Sequence, residues 1–572
     1  MRTLTLNNGA VLAGLFTLTV AACNSLVGLD DLAVTDGSKG GTETSGGGTS
    51  STGDAPSGGN PDIGGTTSIP PGGAGGEGEP PHVGECSSNQ DCTDKAAAEV
   101  MGAGGDASAL AASVCIKPEG RCQKLLSEDC SSFTGDYLND RAILLGSLFS
   151  IKGTQAATNV PRQQAAALAI EQINAVGGVP SNEDEPRPLV MVHCDESTNL
   201  VRAAEHLVKE LHVPAIVGPN TSQDTLDVST KVTVPGGTVV ITPTAVASSI
   251  ISLNDKDLTW LMVPADVQRA PLMISQLGVM ETELKEAREL SAVKLGIVFR
   301  NDALGIGTRT SLNELVLNGK GLTDAVNLGN HVEIDPYEGA AMNQDALVEK
   351  YVDFAPDIIV LAGTAEAVSK FMVPLEKAWT APLRPHYILI DSTKVPELIM
   401  AATNNDDLRA RVRGTGITSG PSGKDTPSEA YNGFKIDYEV RYPGSSSTIS
   451  GMGPAHDAAY AIGLAMAATR DQPVTGKSIA AGLRKLASGS AKFTTLGTNL
   501  LPAFQKLGAS AGITAVGSFG VLDWDENGAV KGGVLEMWCI GGTAVKPAFQ
   551  SSGLILDIMS QLPSGTYESC VK

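Results

Sequence analysis

From Arg141 onward, short unbroken apolar runs alternate with stretches whose apolar residues recur every three or four positions. Residues 142–148 read as a strand. The stretch after it places Ala166, Ala169, Ile170 and Ile173 on one helical face and stops at Gly177-Gly178, a pair free to take the left-handed backbone that ends helices. Residues 189–192 predict the next strand. Leu200, Ala203, Ala204, Leu207, Val208 and Leu211 then form one apolar helical stripe. Runs at 215–217 and 239–241 repeat the scheme at intervals of about 25 residues, the length of one strand-helix unit. Strands apolar throughout, and not only at alternate positions, have both faces covered, which predicts a parallel sheet between helical layers. A second series starts at 295–299 and continues at 358–361 and 387–390. Residues 427–488 read as mostly helical. Runs at 519–524 and 534–538 flank Asn527-Gly528, a turn that favours a two-stranded hairpin.

The expected fold class is α/β: two doubly wound parallel-sheet lobes joined by a hinge that the chain crosses several times. Ahead of them, residues 36–85 are nearly all Gly, Ser, Thr and Pro, without the periodicity that buries a core, and predict a flexible tether. A small cysteine cluster follows at Cys86, Cys92, Cys115, Cys122 and Cys130, with Cys194, Cys539 and Cys570 further on. Setting Cys23 aside, these eight suit four disulfides in an oxidising compartment. The pairing expected joins the first four among themselves, Cys130 to Cys194 and Cys539 to Cys570. Zinc is the competing reading, but no C-x2-C pair occurs and His82 is the only nearby histidine. The expected divisions are a leader at 1–23, the tether at 24–85, a Cys-rich segment at 86–132, first-lobe parts at 133–268 and 418–512, and second-lobe parts at 269–417 and 513–572.

The first 23 residues set the compartment. Arg2, an apolar run from Ala10 to Ala22, and Val20-Ala21-Ala22-Cys23 resemble a lipoprotein signal peptide whose cysteine accepts a lipid. No later run reaches about 18 apolar residues, so the lipid on Cys23 would be the membrane attachment. The site expected is the cell envelope, in the periplasm or at the outer membrane or cell surface; Asn24 favours the outer membrane. The net charge of −22 argues against a nucleic-acid partner.

The order and spacing of several short motifs resemble the type I periplasmic binding proteins of the leucine-, isoleucine- and valine-binding kind. They are Ala169-Ile170-Glu171-Gln172-Ile173-Asn174 before Gly177-Gly178, Asp195, Val217-Gly218-Pro219-Asn220-Thr221-Ser222, and Ile241-Thr242-Pro243-Thr244-Ala245. Gly296-Ile297-Val298 with Asp302 and Gly305, Asp457-Ala458-Ala459-Tyr460 and Trp524-Asp525-Glu526-Asn527-Gly528 complete the series. The resemblance implies two lobes joined by three crossovers, with a small ligand between them. Ligands of open α/β sheets sit outside the carboxyl ends of the strands. There the Gly218–Ser222 loop, through backbone N–H groups and the hydroxyls of Thr221 and Ser222, could hold a carboxylate, and the resemblance implies that this loop and the loop of Thr244, Ala245 and Ala247 contact the ligand's carboxylate and amine. From the second lobe Asp302, Leu304, Thr364 and Asp391 are expected at the cleft, with Asp391 pairing a ligand ammonium. Leu304 stands where many relatives carry an aromatic, and Asp391 is neither a Glu nor as far past its strand as in the amino-acid binders.

Catalytic readings fail. No G-x-S-x-G occurs, Gly476-Lys477-Ser478 lacks the leading glycine of a phosphate loop, Gly414-x-Gly416 lacks a third glycine and precedes a loop, and the histidines are scattered. No catalytic residue, metal or cofactor is expected. Two function classes remain: a solute-binding component passing an amino acid or related carboxylate to an ABC permease, or a sensory or interaction module signalling to a membrane partner.

Overall fold

The computed structural model of the chain describes residues 84–102, 111–183, 185–339, 344–418, 428–509 and 511–571. The leader with Cys23, and all but the end of the tether, lie outside them. Among the described residues no helix is long and apolar enough to cross a membrane.

A helix, Asn89–Gly102, packs beside a hairpin of Ser113–Ile116 and Arg121–Lys124. Bridges Cys86–Cys115 and Cys92–Cys122 staple the two together, so the first four cysteines pair among themselves as expected. The sulfurs of Cys86, Cys92 and Cys122 lie together because the bridges are adjacent, and a bridged sulfur is not the thiolate that zinc requires. The module docks where the Asn89 amide side chain donates to Tyr137 O at 2.7 Å.

The first lobe is a six-stranded sheet of β1 (Cys130–Thr134), β2 (Ile143–Phe149), β3 (Leu189–Asp195), β4 (Ala215–Val217), β5 (Val239–Thr242) and β6 (Thr259–Leu261), in the order β1-β3-β2-β4-β5-β6. All neighbours are parallel except β1, antiparallel to β3 at the edge. Every residue of β3, β4 and β5 is buried, as unbroken apolar runs demand. β1 departs from the expected Cys-rich segment 86–132: Ser131, Ser132 and Phe133 carry little apolar signal, and register with β3 is set where Cys130 faces Cys194, the pair joined by the third bridge. The Ala156–Ala175 helix packs on the wholly buried Met452–Ala468 helix, whose run of Ala and Gly permits close approach.

The second lobe is an eight-stranded sheet of β7 (Leu295–Arg300), β8 (Val332–Tyr337), β9 (Ile358–Ala362), β10 (His386–Leu389), β11 (Val412–Ile417), β12 (Val534–Thr543), β13 (Lys546–Asp557) and β14 (Leu562–Ser564), ordered β8-β7-β9-β10-β11-β12-β13-β14. β7 to β11 are parallel, and β12 to β14 add antiparallel strands at one side. The fourth bridge, Cys539–Cys570, ties the tail to β12. Gly414 and Gly416 lie within β11: a Cβ on Gly414 would stand 2.2 Å from the Trp538 ring.

The chain passes between the two cores at three places, near Met262–Val263, after Ile417, and between Val530 and Leu535. The last differs from the expected division at 513, because Ile513, Ala515, Leu522, Trp524 and Val530 pack in the first core. The hairpin expected across Asn527-Gly528 is replaced by a single Trp524–Val530 bridge, while β12 pairs with β11 and β13. Trp524 is held instead by its indole N–H donating to Leu261 O at 2.7 Å and by edge packing on Trp260.

One buried group makes this core pH-sensitive. His193 on β3 is 5% exposed, with Nδ1 2.7 Å from Ser147 Oγ and Nε2 2.8 Å from Thr134 Oγ1. Burial pushes its imidazole down to about 4. The unfolded chain, titrating near 6.5, binds the proton that the folded chain refuses, so stability falls as pH drops from about 6.5 to 4 and levels off below. His193 alone should contribute a slope of about 1.4 kcal/mol per pH unit in that window. Urea unfolding of His193→Gln should show the flatter profile; an unchanged slope would contradict a buried neutral imidazole.

Candidate functional site

The carboxyl ends of β2 to β5 deliver four loops to one edge of the first lobe. Gly218 opens the loop after β4 at φ 103°, and a Cβ there would stand 2.1 Å from Leu148 O, so only glycine lets the loop lie against β2. Thr221 caps the Ser222–Val228 helix: its hydroxyl oxygen accepts from Asp224 N at 3.1 Å and donates to Asp224 Oδ2 at 2.5 Å. Ser222, 2% exposed, accepts the N–H groups of Val246 at 3.1 Å and Ala247 at 3.2 Å. Both lone pairs of its oxygen are thereby used to join the two loops, which leaves one proton to donate. Thr244 donates to the backbone and side-chain oxygens of Asn220, each at 2.6 Å. Ala245 and Ala247 are buried. Below the loop Glu196 is buried, accepting from Ser150 Oγ at 3.0 Å; burial, and next the neighbouring Asp224, hold its carboxyl well above the usual range.

On the second lobe Asp302 caps the Ala303–Ser311 helix through Gly305 N at 3.1 Å, and it receives Arg300 Nε at 2.5 Å. Arg300 Nη1 also donates to Thr364 Oγ1 at 3.3 Å, and Glu366 accepts from Thr364 N at 3.2 Å and Tyr337 Oη at 3.0 Å. Asp302 and Thr364 therefore belong to one half-buried network organised by Arg300. Leu304 is 8% exposed and packs in the second core. Asp391, expected to await a ligand ammonium, is already paired with Arg269 Nη1 at 2.8 Å, the two side chains 13% and 8% exposed.

The lobes meet along this line. Ala303 N donates to Gln223 Oε1 at 3.3 Å, and Ala303 packs with Ala245, Ala247 and Ala265. An ideal Cβ on Gly307 would lie 1.9 Å from Asp266 Oδ2 and 3.6 Å from Ala247 Cα. Gly307→Val should therefore destabilise this packed arrangement by about 1–3 kcal/mol and enlarge the radius of gyration in small-angle scattering. A variant with unchanged stability and scattering would mean that the helix does not approach so closely in solution.

Beside the first crossover a small cleft is lined by Val246, Asp266, Arg269, Thr308, Asp391 and Thr415, among others. Arg162, on the helix after β2, is held within the first lobe: its Nε donates to Ser450 O at 2.8 Å and Nη1 to Asn159 Oδ1 at 2.8 Å. Burial lowers this guanidinium to about 10, with Asp391 acting in the opposite sense, so it stays charged at neutral pH. Sequence reasoning missed Arg162 and Arg269. Their only signal is a cation within the first two turns of a helix that follows a carboxyl end.

No protein-family model matches the chain, and no curated protein matches it. Solved structures do. A leucine-binding protein from Thermotoga maritima is 13% identical at a TM-score of 0.51, over 72% of this chain and 98% of that one. A solute-binding protein from R. palustris in complex with 4-hydroxybenzoate is 13% identical at 0.51, over 75% and 98%. A type 1 periplasmic binding protein from Bordetella pertussis is 15% identical at 0.52, over 72% and 100%. At such identities the likeness concerns architecture. The paired α/β lobes, their three crossovers and the loops gathered at the carboxyl ends of both sheets are those of the type I periplasmic binding protein fold.

Proposed function

We propose that the protein is an extracytoplasmic solute-binding lipoprotein, anchored through Cys23, that closes two lobes on a small organic ligand and passes it to an ABC permease. It catalyses no reaction and needs no cofactor. The observation that carries this reading is the cleft beside the first crossover, where the buried Arg269–Asp391 pair lies among apolar and hydroxyl side chains, an arrangement that orients a charged solute. Similarity to binders of leucine and of 4-hydroxybenzoate supports an amino acid or related carboxylate as ligand. A sensory role toward a membrane partner is the second reading, favoured by Asn24, since a lipid anchor in the outer membrane would set the protein across the periplasm from a permease.

The test is thermal unfolding of the full chain in detergent against a library of small amino acids, carboxylic acids, amines and neutral solutes. A true ligand at a hundred times its dissociation constant adds about 2.7 kcal/mol. A library without any stabilising solute would remove the reading. Cys23→Ala should move the protein from the membrane to the soluble fraction, and continued retention would refute lipidation as the attachment.

A further inference from the structure

Arg269 is 7% exposed and makes two assigned bonds: Nε donates to Pro264 O at 2.9 Å and Nη1 to Asp391 Oδ2 at 2.8 Å. Its Nη2 is buried without a hydrogen-bond partner, on a residue that lines the interlobe cleft. An unsatisfied guanidinium N–H is among the costliest groups to leave buried, and a carboxylate is the partner whose geometry fits it. The same wall carries the Thr308, Ser311 and Thr415 hydroxyl residues, and Val246, Met273 and Ile390 supply apolar surface for a hydrocarbon body.

The charges around the cleft are unequal in what they have left to give. Asp391 is already joined to Arg269 Nη1 at 2.8 Å. Asp266 turns its carboxylate to Ser248, whose hydroxyl and N–H both donate to it. An incoming ammonium would compete with Arg269 for Asp391 and sit beside its guanidinium. An incoming carboxylate meets a free donor.

We propose that Arg269 holds the ligand's anionic group and that the ligand class is a monocarboxylate without a neighbouring ammonium, an oxo or aryl acid in place of an amino acid. This rests on the solute-binding reading and narrows it. Asp391 is then a positioning residue that orients Arg269.

Calorimetry of the full chain in detergent with matched pairs tests it: 4-methyl-2-oxopentanoate against leucine, and phenylpyruvate against phenylalanine. The oxo acid of at least one pair should bind about tenfold or more tightly than its amino counterpart. Arg269→Gln should weaken that acid by about tenfold or more, and Arg269→Lys, which keeps the charge and guards against misfolding, should recover part of it. An amino acid that binds as tightly as its oxo acid, or an Arg269→Gln variant that is folded by circular dichroism and binds the oxo acid undiminished, overturns the assignment. Binding of amines or neutral solutes alone would overturn it while leaving the solute-binding reading intact; the absence of any stabilising solute would end both.

Discussion

Asp391→Ala should lower the unfolding free energy by about 3 kcal/mol, far more than a surface ion pair would contribute. The pair lies within the lobe junction, with side-chain exposures of 13% for Asp391 and 8% for Arg269. Removing the carboxylate leaves Arg269 buried with Nη1 as well as Nη2 unpaired, and takes from Arg162 the one opposite charge that favours its cationic form. A buried charge stripped of its partner costs more than the pair itself was worth, because the desolvation remains while the attraction is gone. The companion variant Arg269→Met with Asp391→Leu removes both charges and fills similar volume, so it should recover most of the loss. Denaturant unfolding of the single and double variants makes the comparison. A loss below about 1 kcal/mol in the single variant would mean that water reaches the guanidinium and that the junction is open in solution. Added carboxylate should partly restore the single variant, since the vacated Nη1 and Nη2 form a bidentate fork.

Seven of the parallel strands, β2 to β5, β7, β9 and β10, were legible because burial on both faces demands unbroken apolar runs, as at Leu189–Asp195 and Ile358–Ala362, every residue of which is buried. β8 was hidden for the opposite reason. At the edge of its sheet, Val332–Tyr337 keeps Glu333, Asp335 and Pro336, which a strand paired on one side tolerates. β11 was hidden because Gly414 and Gly416 are there to make room for Trp538, a fact about a residue far away in the chain. The cleft loops were found from the rule that ligands gather at strand carboxyl ends, but their inner bonding was not. Nothing in the local text shows that Ser222 joins two loops or that Asp391 faces a guanidinium 122 positions earlier. An arginine near a helix start reads as solvated until packing places it, which is why Arg162 and Arg269 escaped.

Trp538→Ala should be the most destabilising single change in the second lobe, by about 3–5 kcal/mol. The indole is fully buried, packs edge-on against Phe549 with ring centroids 5.3 Å apart, and donates its N–H to Thr415 O at 3.1 Å. It fills the hollow left by Gly414, so its loss opens a cavity that two glycine-bearing strands cannot close by moving side chains inward. The effect should reach the cleft. Lys394 Nζ stands 5.6 Å from the Trp538 ring and 3.2 Å from Glu536 Oε1, and a Cβ on Gly416 would touch both Lys394 and Asp391. Losing the ring frees Lys394 to approach Asp391 and compete with Arg269 for its carboxylate. Trp538→Phe keeps the apolar ring but not the N–H, and should lose about half as much stability, with ligand affinity nearer to that of the parent chain. Calorimetric binding measured well below each variant's unfolding temperature separates the two effects. Affinity that is unchanged in Trp538→Ala would show that this part of the floor is held without the indole.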